Sequence, residues 1–282
     1  MKSLAFHFVL RSVCIIFAAN KLQLSVFMKK KRPLILISND DGFAAKGINS
    51  LLEYVRGFGD IIACAPESAR SGFSCAFSSE KPLRLRLVRE EPGLQVWACN
   101  GTPVDCLKIA IDQICDRMPD IVISGINHGD NASVNSHYSG TMGVAREGCM
   151  KGIPSVAFSL CNYSPDADFS NTARLIKIIT GRVLEDGLPK NVCLNVNFPD
   201  TPEIKGTKVC RMCNGIWEKE LVKERHPRGY DYYWMVGQFR DTEPEATDTD
   251  EWALAHGYAA ITPTTIDTTA YSAMQKISDW DL

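Results

Sequence analysis

The sequence predicts an α/β protein of the Rossmann-like, doubly wound kind, with a mostly parallel sheet and a β-hairpin extension towards its C-terminus. Three observations predict it. From about residue 33 to 200, apolar runs of strand length alternate with amphipathic segments of helix length. The apolar runs are continuous, as in strands buried on both faces. After residue 200 the alternation stops and long aromatic runs of β type take over.

The elements follow in order. Leu34–Ile37 is a buried strand that ends in the polar loop Ser38-Asn39-Asp40-Asp41-Gly42. Residues 46–56 place Ile48, Leu51, Leu52 and Val55 on one helical face. Asp60–Ala65 is the next strand and Pro66 ends it, which gives a right-handed β-α-β unit. Leu83–Val88 and Leu94–Ala98 are two strands joined by a turn at Pro92-Gly93. Pro103–Ile114 is a helix, and Asp120–Ser124 is a strand leading into the loop Gly125–Asp130. A helix over Thr141–Met150, a strand over Pro154–Phe158, a helix over Asn171–Leu184 and a strand over Val192–Val196 complete the core.

Beyond it, Val209, Trp217, Leu221 and the run Tyr230–Phe239 predict antiparallel strands. The acidic, Thr-rich stretch Asp241–Glu251 predicts a loop. Trp252–His256 is one or two helical turns and Tyr258–Thr262 a last strand. The chain divides into an extension over 1–27, a catalytic core over 28–204, a hairpin over 205–250 and a return to the core over 251–282. An aromatic hairpin without a core of its own needs a partner surface.

Composition narrows the function. A net charge of −2 over 282 residues argues against a broadly cationic nucleic-acid binder. The eleven cysteines are odd in number, scattered, and mostly inside apolar runs. They read as small buried hydrophobes in a reducing cytoplasm, not as a disulfide framework. Cys210 and Cys213 form one CxxC without a second ligand pair, so a zinc site is disfavoured against coincidence. Residues 1–27 imitate a secretory signal, but His7 and Arg11 interrupt the apolar stretch, which is also too broken for a membrane span. A start at Met28, a disordered or helical extension and a targeting segment are the three readings of that stretch.

Ligand sites in open α/β sheets lie beyond the carboxyl ends of the strands. Three strand ends converge there: Asn39-Asp40-Asp41-Gly42, Arg70-Ser71-Gly72 and Gly125-Ile126-Asn127-His128. Adjacent carboxylates resist joint ionisation, and a divalent cation removes that cost. Asp40, Asp41, Ser71 and Asn127 offer hard oxygen donors, which suit Mg²⁺ or Mn²⁺. The same Asp pair also fits a plain turn or helix cap, and the residues alone leave both readings open. Tyr138-Ser139-Gly140-Thr141 opens a helix and is either an ordinary N-cap or an anion cradle. His128 and His137 lie in the same loops as candidates for substrate contact or neutral surface. Dinucleotide, P-loop, nucleophile-elbow and zincin motifs are absent from the sequence.

Ordered blocks then carry a family resemblance. They are Leu36–Gly42 with Gly47-Ile48, Ala65-Pro66, Arg70-Ser71-Gly72, Asn100–Cys106, Pro119–Asn127, Tyr138–Thr141 and Glu147-Gly148. Late in the chain come Pro227-Arg228-Gly229, Tyr233-Trp234 and Gly257-Tyr258 through Ile261-Thr262-Pro263. Over roughly residues 33–280 the sequence resembles the SurE family of survival-protein nucleotidases. The resemblance implies a 5′/3′-nucleotidase acting on nucleoside monophosphates. It implies one divalent cation per subunit on Asp40, Asp41, Ser71 and Asn127, and phosphate contacts from Asn39, Ser139, Gly140 and Thr141. It also implies exchange of the hairpin between subunits of a homodimer or homotetramer. The chain departs from the family pattern at Lys46, where Pro is common, and in the loop after Asn127, where His128-Gly129-Asp130-Asn131-Ala132 lacks the last Gly of the usual G-x-N-x-G.

The chemistry expected is phosphomonoester hydrolysis by metal-activated water, with Asp40 or Asp41 accepting the proton. An aspartyl-phosphate route is the variant. The rivals are a phosphoreceiver-like module, a haloacid-dehalogenase-type hydrolase and a catalytically silent nucleotide-binding module. A phosphoreceiver would need a third Asp at a middle strand's end, and a dehalogenase-type site needs Asp-x-Asp. No nucleic-acid or membrane partner is expected.

Overall fold

The computed structural model describes residues 32–280. The extension over 1–27 lies outside the described residues. A nine-stranded sheet runs in the order β3-β4-β2-β1-β5-β6-β7-β13-β8. Its centre is β1 (Leu34–Ser38), flanked in parallel by β2 (Asp60–Pro66) and β5 (Ile121–His128). β4 (Leu94–Cys99) continues one side in parallel, and β3 (Leu85–Glu91) closes it antiparallel. β6 (Ser155–Leu160) and β7 (Val192–Phe198) continue the other side in parallel. β13 (Ala259–Thr265) returns antiparallel to β7, and β8 (Thr207–Val209) pairs with β13 in parallel.

All five residues of β1 are buried, because helices cover both faces. Alternation sends Ile35 and Ile37 to one core, with Ile61 and Ala63 of β2. It sends Leu34 and Leu36 to the other, with Ile62 and Cys64. The first core is roofed by α1 (Lys46–Val55), through Ile48, Leu51, Leu52 and Val55, and by α5 (Ala173–Asp186). The second is roofed by α2 (Pro103–Gln113) and α4 (Gly140–Met150). α2 starts where it does for a local reason. Pro103 sits in its first turn, and Thr102 and Asp105 form a reciprocal capping box.

Several elements differ from the expectation in instructive ways. β5 does not stop at Ser124. A register shift between Ser124 and Asn127 lets it resume pairing at Asn127–Ser159 and His128–Leu160. The helix expected from Asn171 opens with a 3₁₀ turn, Ser170–Thr172. α3 (Asn135–Tyr138) is a single turn inside a stretch read as loop, and α7 (Tyr271–Ser278) follows the last strand.

The run Tyr230–Phe239 is two strands. β10 (Leu221–Arg225) pairs with β11 (Asp231–Met235), and β9 (Gly215–Glu218) pairs with β12 (Gln238–Asp241). β8 lies within residues 205–250 yet belongs to the main sheet. The chain leaves that sheet as a hairpin only over Gly215–Asp241. The acidic stretch ends in α6 (Asp250–Ala255), capped by Thr249. Among the described residues no helix is long and apolar enough to cross a membrane. The ten described cysteines are all free thiols, seven of them buried.

Candidate active site

Strand order reverses between β1 and β5, so the crevice beyond their carboxyl ends is the topological switch point. The loop after β1 carries Asp40 and Asp41, and Asn127 stands near the end of β5. Ser71 comes from the loop after β2, which is drawn in by a bond from Arg70 N to the carbonyl of Asp40, 2.6 Å. The three expected strand ends therefore do meet. Asp40, Ser71, Asn127 and Ser139 line one cavity of about 270 Å³, together with His128, Asp130, Asn135, Tyr163 and Trp217.

Asp40 is 3% exposed. Its Oδ1 accepts the Thr141 hydroxyl at 2.6 Å and its Oδ2 accepts the Gly140 N–H at 3.1 Å. The N-terminus of α4 thus clamps the carboxylate. Gly140 is required for this approach: a Cβ there would meet the Cβ of Asp40 at 2.8 Å. Burial pushes Asp40 up to about 6, with the Asp41 charge adding to the rise and the Thr141 bond opposing it. Burial also raises Asp41, while the His128 N–H, 3.2 Å from its Oδ2, works in the other direction. Among the described residues neither carboxylate forms an ion pair with Lys or Arg.

Asn127 is oriented by its neighbours. Its Nδ2 donates to the carbonyl of Gly129 at 2.8 Å, which leaves Oδ1 on the side of Thr141 Oγ1, 3.5 Å away. Thr141 Oγ1 therefore lies between the oxygens of Asp40 and Asn127. Ser71 is exposed on a turn at the cavity wall. Two carboxylates, an amide oxygen and a hydroxyl form a hard donor set, and a buried carboxylate beside a half-buried one, with no Lys or Arg pairing to either among the described residues, suits a divalent cation. Among the described residues no group of three or more His, Cys, Asp or Glu is placed to hold a metal. Any such set would therefore draw on neutral oxygens, such as those of Ser71 and Asn127, beside the two carboxylates.

The other expected site residues fall into distinct places. Asn39 is fully buried, and its amide closes on Gly42, donating to its carbonyl at 3.0 Å and accepting its N–H at 3.1 Å. It shapes the loop that carries both Asp residues. Ser139 caps α4 by accepting the Met142 N–H at 3.0 Å, and its own hydroxyl proton remains free to donate into the cavity. Gly140 N and Thr141 Oγ1 are engaged with Asp40. His128 lines the cavity with its Nδ1 2.8 Å from the carbonyl of Ser164, whereas His137 is exposed on α3 and lines a different cavity. That second cavity, about 610 Å³, is larger but holds neither Asp residue, so chemistry and not size selects the site. Cys210 and Cys213 have separate sulfur contacts, Cys210 with the carbonyl of Lys208 and Cys213 with Asp241.

Tyr163, Asn135 and Trp217 had no signal in the sequence pattern. They come from the loop after β6, from α3 and from β9, and only tertiary folding brings them to the wall.

Comparison with known proteins decides the family. The family model described as "Survival protein SurE" matches residues 35–219. This chain belongs to the SurE family. It is 56% identical over 255 residues to a protein of Phocaeicola vulgatus named 5′-nucleotidase SurE, covering 90% of this chain and 99% of that protein. A Bacteroides thetaiotaomicron protein of the same name is 51% identical, with 90% and 98% covered. The crystal structure of SurE from Aquifex aeolicus superposes with a TM-score of 0.76 at 34% identity, covering 87% of this chain and 98% of that one. The matched segment of the SurE model contains Asp40, Asp41, Ser71, Asn127 and the Ser139–Thr141 cap.

Proposed function

We propose that this SurE-family chain is a metal-dependent nucleotidase. It hydrolyses the phosphomonoester of nucleoside 5′-monophosphates, with 3′-monophosphates as further substrates, to nucleoside and phosphate. One observation carries the reading beyond the names of its relatives. A carboxylate that is almost fully buried, Asp40, is clamped by the N-terminus of α4 beside a second carboxylate, and among the described residues no Lys or Arg forms an ion pair with either.

Asp40, Asp41, Ser71 and Asn127 would hold one Mg²⁺ or Mn²⁺, which when bound supplies polarisation of a phosphoryl oxygen and acidification of water. The chain's own residues do the rest. Thr141 and Gly140 fix Asp40, and Asn39 fixes the loop beneath it. Ser139 offers its hydroxyl proton to a phosphoryl oxygen at the positive end of α4. Asp41 keeps one oxygen on the His128 N–H, and its other oxygen accepts the proton of the attacking water. Attack by an Asp carboxylate itself is the alternative course for the same residues.

The exposed hairpin supports self-association as a dimer or tetramer, and the free thiols support a reducing cytoplasmic setting. The enzyme reading is tested by phosphate release from AMP. Activity is expected with Mn²⁺ or Mg²⁺, lost on EDTA treatment and restored by adding the ion back. Tight nucleotide binding without any phosphate release would favour the catalytically silent module instead.

A further inference from the structure

The cavity carries a structure that the metal and phosphate chemistry leaves unused. Besides Tyr138 and His128, two aromatic rings from distant parts of the chain stand in its wall, Tyr163 after β6 and Trp217 in β9 at the root of the hairpin. An unbroken line of side-chain hydrogen bonds joins them. Trp217 Nε1 donates to Asn135 Oδ1 at 2.8 Å. Asn135 Nδ2 donates to Asp130 Oδ1 at 2.9 Å. Tyr163 OH donates to Asp130 Oδ2 at 3.2 Å. All four side chains line the cavity that holds Asp40 and Ser71.

Each ring is also held by packing. Phe239 meets Trp217 edge-on, with centroids 5.8 Å apart and planes at 66°. Tyr163 lies against the backbone of Gly129, where a Cβ would come within 2.2 Å of its ring. The rings are thus positioned before any ligand arrives, which lowers the ordering cost of binding. The polar atoms of the line are engaged with one another, so what it offers a ligand is ring surface. A volume of about 270 Å³ also exceeds what a phosphate group needs.

We infer that Trp217 and Tyr163 are specificity residues that take the heteroaromatic base of the nucleotide by stacking, while its phosphate lies by Ser139 at the cation site proposed on Asp40, Asp41, Ser71 and Asn127. This rests on the nucleotidase reading and adds to it. Flat π faces favour a flat heteroaromatic partner over a sugar or alkyl group. The inference also gives the hairpin a part in the site, since its root carries Trp217.

The test compares kcat/KM for AMP and for ribose 5-phosphate, which has the phosphate and sugar but no base. In Trp217→Ala and in Tyr163→Leu the AMP to ribose 5-phosphate ratio should fall at least about tenfold, mainly through KM for AMP. Trp217→Phe and Tyr163→Phe, which keep a ring, should retain most of the ratio. A ratio unchanged in both ring-removing variants, whatever the absolute rates, overturns the inference, because a merely structural wall affects both substrates alike. If Trp217→Ala does not fold, Tyr163→Leu carries the same test from the other end of the line. Calorimetric binding of adenosine separates this inference from the hydrolase reading. If the wild type turns over neither substrate, the hydrolase reading fails. Adenosine binding that is weaker in Trp217→Ala by at least about tenfold would then still support the ring assignment. Equal binding, or none to the wild type, would end it.

Discussion

Asp40 shows how much one residue can reveal. It is 3% exposed and pushed up to about 6, chiefly by burial. A carboxyl whose folded pKa lies above its unfolded value stabilises fully below the unfolded value, and that contribution is lost as pH rises through the folded one. The window here runs from about pH 4 to about pH 6. In metal-stripped protein, Asp40→Asn should therefore gain stability relative to wild type across that window, by roughly 3 kcal/mol between its ends. Urea denaturation in EDTA near pH 4 and near pH 7 measures this. A difference that does not change with pH would mean that Asp40 is not buried as an uncompensated acid.

Asp40, Asp41, Ser71 and Asn127 were legible because strand ends and hard donor types are written locally. Trp217 was not, because its partner Asn135 lies 82 residues away. Nor did the sequence separate the roles within Asn39 and Ser139–Thr141. Which atoms face the cavity and which are engaged internally depends on side-chain geometry.

At the scale of elements, the helices and central strands follow the pattern of apolar residues, because burial on two faces imposes it. Elements held by single contacts do not. β5 reads as ending at Ser124, since a Gly after a buried run resembles a terminator. The register shift that lets it continue is also what brings Asn127 to the site. α3 is one turn with a single buried residue, too short to show a period.

The segments around the site are joined by Asp250 at the start of α6. Its carboxylate is fully buried and accepts the N–H groups of Ser133 at 2.9 Å and Cys213 at 2.8 Å. Asp250→Ala would leave two buried donors without partners, at about 1–3 kcal/mol each. A loss of about 2–5 kcal/mol in denaturant unfolding is the expected outcome, with a smaller loss for Asp250→Asn. A loss within about 0.5 kcal/mol, the usual range for a surface change, would show that this junction is unimportant.

For the molecule as a whole, sheet order decides where chemistry can sit. β1 and β5 are neighbours at the centre, where the strand order reverses, and Asp40, Ser71 and Asn127 gather at their carboxyl ends. The hairpin over Gly215–Asp241 presents Leu221, Tyr233, Trp234 and Met235 to solvent, each at 59% exposure or more. Such a surface on a two-stranded ribbon calls for a partner. Sedimentation velocity should show a dimer or larger species, and replacing these four residues by Ser should shift it towards the monomer. A wild-type monomer would remove the hairpin from that role.

The proposal that joins these scales is that the Asp40–Asp41 pair holds the ion on which phosphate release depends. Steady-state phosphate release from AMP in saturating Mn²⁺, measured for wild type, Asp40→Asn and Asp41→Asn, tests it most directly. Activity in the wild type, with a fall of at least about a hundredfold in each variant and an intact fold, is the predicted result. Wild-type rates in both variants would contradict it.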